Sequence, residues 1–258
     1  MEPVDTYTHC GVVVEIHRDE DPECSNPRHA DNLGTMLCAH RRYTLGDEQL
    51  AEIDTRIECP RCDGIGDDPD RYEIRAYDVS GWKVLAAGTL GAMEAVTDDP
   101  DRIGPASCGQ CGGSGEVELA VDDYLRRERG ATVILPLGLH DHSGISMYVG
   151  TSRGWDSGQV GVIFDTAEAR QRIGLTKRDD VERSLRGEVE EYDSYLRGEV
   201  YGYVVDPDGV ADSCWGFVGD DLVMEQANAA AEDVAARIAA EAVESAAMAA
   251  RGIVTVGA

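Results

Sequence analysis

The chain has 258 residues, 42% of them hydrophobic, which is enough to build a core and excludes a disordered protein. Acidic residues outnumber basic ones 50 to 23, for a formal net charge of -27. This balance argues against nonspecific nucleic-acid binding, which runs on Lys and Arg neutralising phosphates, and against anionic membrane surfaces.

In chain order, GVVVEIH (11–17) is short, β-branched and apolar and reads as a strand. DEDPECSNPRHADNLG (19–34) is a long loop, rich in Asp, Pro and Asn. LGDEQLAEIDTRIE (45–58) places Leu50, Ile53 and Ile57 on a helical stripe that delivers the chain to Cys59. RYEIRAYDV (71–79) alternates as a strand does, GWKVLAAGTLGAMEAV is ambiguous, and TDDPDRIGPASCG (97–109) reads as a loop. A helix is expected from Val117 to a C-terminal stop at Gly130, then a buried strand, ATVILPLGL.

ISMYV and QVGVIF are strands separated by GTSRGWDSG (150–158). Thr166 caps a short helix ended by Gly174, and Thr176 with Asp179 has capping-box spacing. The helix after it carries Val181, Leu185, Val189, Tyr192 and Leu196 on one stripe and stops at Gly198. EVYGYVV and SCWGFV are strands again. From Asp220 to about Arg251 the chain reads as one alanine-rich helix with Val223, Ala227, Ala230, Val234 and Ile238 on one face. Such a face packs on the domain or on a second copy of the chain, so a homo-oligomer through this helix is one expectation.

Strands and helices alternate without a βαβ rhythm, so the fold class is α+β. The expected organisation is a mixed core domain in two parts, 1–56 and 117–219, an inserted zinc module at 57–116, and a C-terminal helix at 220–258. No apolar run approaches the roughly 20 residues that span a bilayer. The N-terminus carries acids where a signal peptide needs positive charge, so the expected location is the cytoplasm of the host cell. In that reducing compartment eight cysteines read as ligands and buried thiols rather than disulfides.

Only two of the basic residues are lysines, Lys83 and Lys177. An acid excess with arginine for lysine suits a halophilic host, where salt screens self-repulsion. A DNA mimic, its carboxylates imitating phosphates, and a mesophile with a GC-rich genome are the alternatives.

The chemistry-bearing motif is Cys-x-x-Cys-x-Gly-x-Gly, present as CPRCDGIG (59–66) and CGQCGGSG (108–115). Two such turns supply four thiolates to a tetrahedral ion, so Cys59, Cys62, Cys108 and Cys111 are the expected ligands of one zinc. With four protein ligands no position is left for water or substrate, and the ion is structural. Residues 57–116 hold twelve acids and five bases, the opposite sign to a nucleic-acid-binding zinc ribbon. The motif resembles the cysteine-rich region of DnaJ-type chaperones, which carries four copies and binds two zincs; no J-domain His-Pro-Asp signature accompanies it here.

Outside this module the dense segments are DNLGTMLCAHRRYTLGD (31–47), HDHSGIS (140–146), WDSGQVG (155–161) and DSCWGF (212–217). In this order they resemble a family of uncharacterised proteins encoded by tailed phages, proviruses and plasmids. The resemblance implies a mobile-element context, with the zinc module as an insertion and the last helix as an extension. It implies no mechanism.

Asp141 and His142 follow a buried strand, where loops commonly carry function, and with Asp156 they are the candidate catalytic or metal-binding set. His140 forms a His-x-His pair with His142, although the family pattern carries an aromatic in its place. Cys38 and His40 offer a thiolate–imidazole pair, which a two-residue spacing disfavours. Trp155 and Trp215 are candidates for the apolar wall of a binding groove, with Ser157 and Gln159 as polar contacts and Arg41 and Arg42 as anion grips. The chain has no Gly-x-x-x-x-Gly-Lys-Ser/Thr loop. The leading expectation is a noncatalytic binding or adaptor protein acting on a host or viral protein. The alternatives are a metal-dependent or acid–base enzyme on Asp141, His142 and Asp156, and an acidic decoy for a DNA-binding defence protein.

Overall fold

The computed structural model describes residues 2–151, 154–206, 208–209 and 211–250. Ser152 and Arg153, within the expected connection 150–158, and the expected helix end at Arg251 lie outside the described residues.

The chain opens with a hairpin, β1 (Asp5–His9) and β2 (Val12–Arg18), in which Val12, Val14 and Ile16 alternate inward. Two 3-10 turns, Pro22–Ser25 and Pro27–His29, punctuate the acidic loop before β3 (Gly34–Cys38). Residues 45–58 form no α-helix: β4 (Glu48–Gln49), a 3-10 turn at Leu50–Glu52 and β5 (Arg56–Glu58) divide them. Leu50, Ile53 and Ile57 are only half-buried, so the stripe has no helical face to bury, and Ile57 sits opposite Val117 in a strand pair.

Next come β6 (Asp67–Asp78), β7 (Gly81–Gly88), α1 (Leu90–Glu94), β8 (Ile103–Ser107), β9 (Glu116–Glu118) and α2 (Val121–Glu128). The expected loop at 97–109 thus contains a strand. The helix expected from Val117 starts four residues late because 116–118 pair with β5.

The chain continues through β10 (Ile134–Asp141), β11 (Ile145–Val149), β12 (Ser157–Asp165), α3 (Ala167–Ile173), α4 (Arg178–Leu196), β13 (Val200–Val205), β14 (Asp212–Val218) and α5 (Asp220–Ala250). Thr166 caps α3 by accepting the Ala169 N–H at 3.1 Å. The Thr176–Asp179 capping box does not form. Lys177 occupies the cap position, one residue later than that box requires, and makes no side-chain cap bond.

Two compact units result: Met1–Glu52 with Gly130–Ala258, and Ile53–Arg129. The first holds two sheets. An antiparallel sheet of order β1-β2-β13-β14 is covered by α5, whose Val223, Ala227, Ala230, Ala231 and Val234 pack on Val12, Val14, Ile16, Tyr203 and Val205. Ile238, expected on this face, is 51% exposed because the apolar contact ends a turn earlier.

A five-stranded sheet of order β11-β10-β12-β3-β4 buries its inner face against Val181, Leu185, Val189 and Tyr192 of α4. All its pairings are antiparallel except β3 with β4. The second unit holds the β5-β9 pair and a sheet of order β7-β6-β8. The arrangement is α+β. Among the described residues no helix is long and apolar enough to cross a membrane.

Within the five-stranded sheet β12 runs unusually close to β3. A Cβ on Gly161 would collide with the Leu37 carbonyl oxygen and come within 2.9 Å of Cys38 Cα, both backbone atoms that cannot swing aside. Gly161→Ala is therefore expected to cost about 1–3 kcal/mol, as overpacking in a tight core does. A fall in the urea midpoint with unchanged slope checks it.

Candidate functional site

The second unit is organised around the two cysteine turns. Cys59, Cys62 and Cys108 are buried and Cys111 is half-buried. Their four sulfurs lie within 4.8 Å of one another. Cys59 Sγ is 3.8 Å from Cys108 Sγ, and Cys62 Sγ is 3.7 Å from Cys111 Sγ. A tetrahedral ion bonded to sulfur at about 2.3 Å needs sulfur–sulfur edges of about 3.8 Å, so the four side chains are spaced to hold one metal ion.

The two turns close on each other reciprocally. Cys59 N–H donates to the Gly115 carbonyl at 2.8 Å, and Cys108 N–H to the Gly66 carbonyl at 2.8 Å. Gly66 N–H points at Cys62 Sγ at 3.3 Å and Gly115 N–H at Cys111 Sγ at 3.4 Å. The glycines of the motif allow this approach. Gly66 (φ +91°) and Gly115 (φ +81°) are left-handed, and a Cβ on Gly66 would stand 2.5 Å from the Gly113 carbonyl oxygen, while one on Gly115 would strike that of Gly64.

Burial pushes the Cys62 thiol up to about 11, with the neighbouring thiols adding to the effect against the Gly66 N–H. At Cys111 burial acts the same way, but the N–H groups of Gly115 and Gly113 and the thiols of Cys62 and Cys108 outweigh it and bring the group down to about 6. A cation bound by these sulfurs would take the place of their protons. An ion held by all four sulfurs would have no open coordination position.

A separate cleft of about 560 Å³ lies in the first unit, between the end of β3, the loop after it, and the ends of β10 and β12. It brings together Arg41, Arg42, Asp141, Trp155, Asp156, Ser157 and Gln159. Arg42 donates to Asp141 Oδ2, His40 Nε2 stands 3.9 Å from the same oxygen, and the Asp141 N–H donates to the Asp156 carbonyl at 2.9 Å. His140 Nδ1 meets Ser157 Oγ at 3.0 Å. His142 is exposed outside this lining, its Nδ1 3.6 Å from Asp156 Oδ2.

Trp155 is fully exposed at the cleft, whereas Trp215 is on β14 of the other sheet, against Gly202 and with its ring 5.9 Å from that of His17. The two tryptophans therefore do not form one wall: Trp155 stands in the turn before β12, while Trp215, in a strand of the other sheet, does not line the cleft. Cys38 is wholly buried, and its thiol is pushed up to about 12 by burial, with Asp47 adding and Arg28 opposing. It supplies no thiolate to His40. Among the described residues, the groups of three or more ligand side chains able to share an ion are the four cysteines and His9, Cys10 and Glu232. Asp141, His142 and Asp156 do not make one. Nothing in the local sequence around His9 or Cys10 points to Glu232.

No protein-family model, curated protein or solved structure matches the chain.

Proposed function

We propose that this protein is a noncatalytic binding protein with a zinc-stapled module, and that a partner protein docks at the cleft around Arg41 and Trp155. Zinc is supported by the all-thiolate donor set, which selects a soft ion, and by the tetrahedral edge lengths. The docking reading rests on one observation: Trp155 stands fully exposed at a cleft shared with Arg41, which among the described residues has no carboxylate partner although the chain carries 50 acids. Asp141, which lines the same cleft, is already engaged by Arg42. A solvent-facing indole beside an uncompensated guanidinium suits a partner segment that presents a carboxylate next to an apolar side chain. The dense segments that resemble mobile-element proteins extend the proposal to a host or viral partner in the cytoplasm.

The enzyme alternative draws on the approach of His142 to Asp156. An acid–base role for Asp141 conflicts with its ion pair to Arg42, which already occupies the carboxylate.

A photo-crosslinking residue at Gln159, introduced in cells where the gene is native, is expected to give a discrete protein adduct that Arg41→Glu abolishes. Trp155→Ala and Arg41→Ala should each change stability by less than about 0.5 kcal/mol, since both side chains are exposed. Each should weaken binding of the identified partner about tenfold or more. No adduct, or a turnover lost in Asp141→Asn at unchanged stability, would sink the binding reading.

A further inference from the structure

The hairpin β1–β2 turns through two residues, Cys10 and Gly11, between the facing residues His9 and Val12. Both are left-handed, Cys10 at φ +49° and Gly11 at φ +82°. Asn–Gly is the favoured pair for such a turn, so a cysteine in its first position is a backbone cost. The turn meets α5. His9 Nε2 is 3.1 Å from Glu232 Oε1, and the donor atoms of His9, Cys10 and Glu232 all lie within 4.8 Å of one another. Two packed elements fix this meeting point: Tyr7 OH donates to Asn228 Oδ1 at 2.9 Å one helical turn earlier, and Val12 and Val14 share a core with Ala227 and Ala231.

We propose that His9, Cys10 and Glu232 form a second metal site, which takes a divalent transition ion of the zinc class and clips the hairpin turn to α5. An imidazole nitrogen, a thiolate and a carboxylate oxygen are the three ligand types zinc uses, while the thiolate and imidazole disfavour calcium and magnesium. On binding, the Cys10 thiol releases its proton to solvent. Thiolate and carboxylate then balance the two charges of the ion. Cys10 and Glu232 are exposed, so this site differs from the buried four-cysteine centre. It has three protein ligands and one position facing water, and it fills and empties with the free metal concentration.

The test uses the full chain with its four-cysteine centre filled by zinc, titrated with cobalt(II) while alkylation by iodoacetamide is mapped by mass spectrometry. Cys10 is expected to become at least tenfold slower to alkylate, with a thiolate-to-cobalt absorption rising in step. Cys24 and Cys214, also exposed, serve as internal controls and should not change. Glu232→Gln and His9→Asn should each shift the cobalt dependence at least tenfold with an unaltered circular dichroism spectrum. Protection at Cys10 no greater than at Cys24, or protection that survives both substitutions, overturns the proposal.

Discussion

Replacing Cys59 and Cys62 together by serine is expected to remove one zinc per chain and to unfold residues 53–129 while the first unit stays folded. The second unit has little else to hold it. Apart from the ligands, its buried apolar side chains among the described residues are Ile74, Met93, Ala106 and Leu125. Each such side chain is worth about 1.5–3 kcal/mol at most, whereas a structural zinc supplies roughly 10–16 kcal/mol in small metal-dependent folds. A unit of this size without a larger core relies on its staple. The first unit carries two cores of its own and needs no metal to keep them. Metal per chain by mass spectrometry after dialysis against a weak chelator, with limited proteolysis of the same samples, reads both halves of the prediction. A double variant that keeps its metal, or a metal-free segment as protease-resistant as the wild type, would contradict it.

The second large effect is expected from Arg28→Met, which should cost about 3–5 kcal/mol, the loss typical of breaking a buried ion pair from one side. The Arg28 side chain is 3% exposed and uses its whole fork. Nε and Nη2 donate to Asp47 at 3.1 and 2.6 Å, Nη1 to Glu188 at 3.1 Å, and Nη2 to the Gly34 carbonyl at 2.6 Å. The carboxylates are held in turn: Glu188 accepts from the Leu33 and Gly34 N–H groups, and Asp47 from the Met36 N–H. Burial raises the Glu188 pKa, and Arg28 is the chief influence opposing it. Without the guanidinium, Glu188 takes up a proton or remains a buried unpaired charge, and either state weakens the seat of β3 on α4. Arg28→Lys is no remedy, because a single ammonium cannot address Asp47, Glu188 and Gly34 at once. Urea unfolding measures the loss, and a cost below about 1 kcal/mol would mean that the network is incidental.

This network also shows where sequence reading stops. Arg28, Asp47 and Glu188 come from a loop, a strand approach and a helix far apart in the chain, and no local pattern links them. Periodicity did reveal what periodicity encodes: the alternation of β2, the stripe of α4, and the Thr166 cap. It failed at 45–58, where Leu50, Ile53 and Ile57 have helical spacing but tertiary pairing puts Ile57 opposite Val117. The four cysteines were legible because spacing alone brings each pair to one ion. The reciprocal glycine contacts between the turns were legible only as a repeated motif. In the cleft, a position just past a buried strand pointed to Asp141, which forms the last residue of β10. That Trp215 lies elsewhere depends on which sheet each strand joins, which the residues around it do not state.

The reciprocal closure of the cysteine turns has a consequence for how this chain can change. All four ligands and both closing hydrogen bonds come from the turns themselves, while the sheet between them leaves and returns side by side, Asp67 paired with Ser107. That intervening stretch is a cassette: any insert whose two ends emerge together would leave the metal geometry intact. Doubling the length of a flexible insert would cost only about 0.6 kcal/mol in closure entropy. The surface carried by β6, β7 and β8 is thus free to diversify under a fixed clasp.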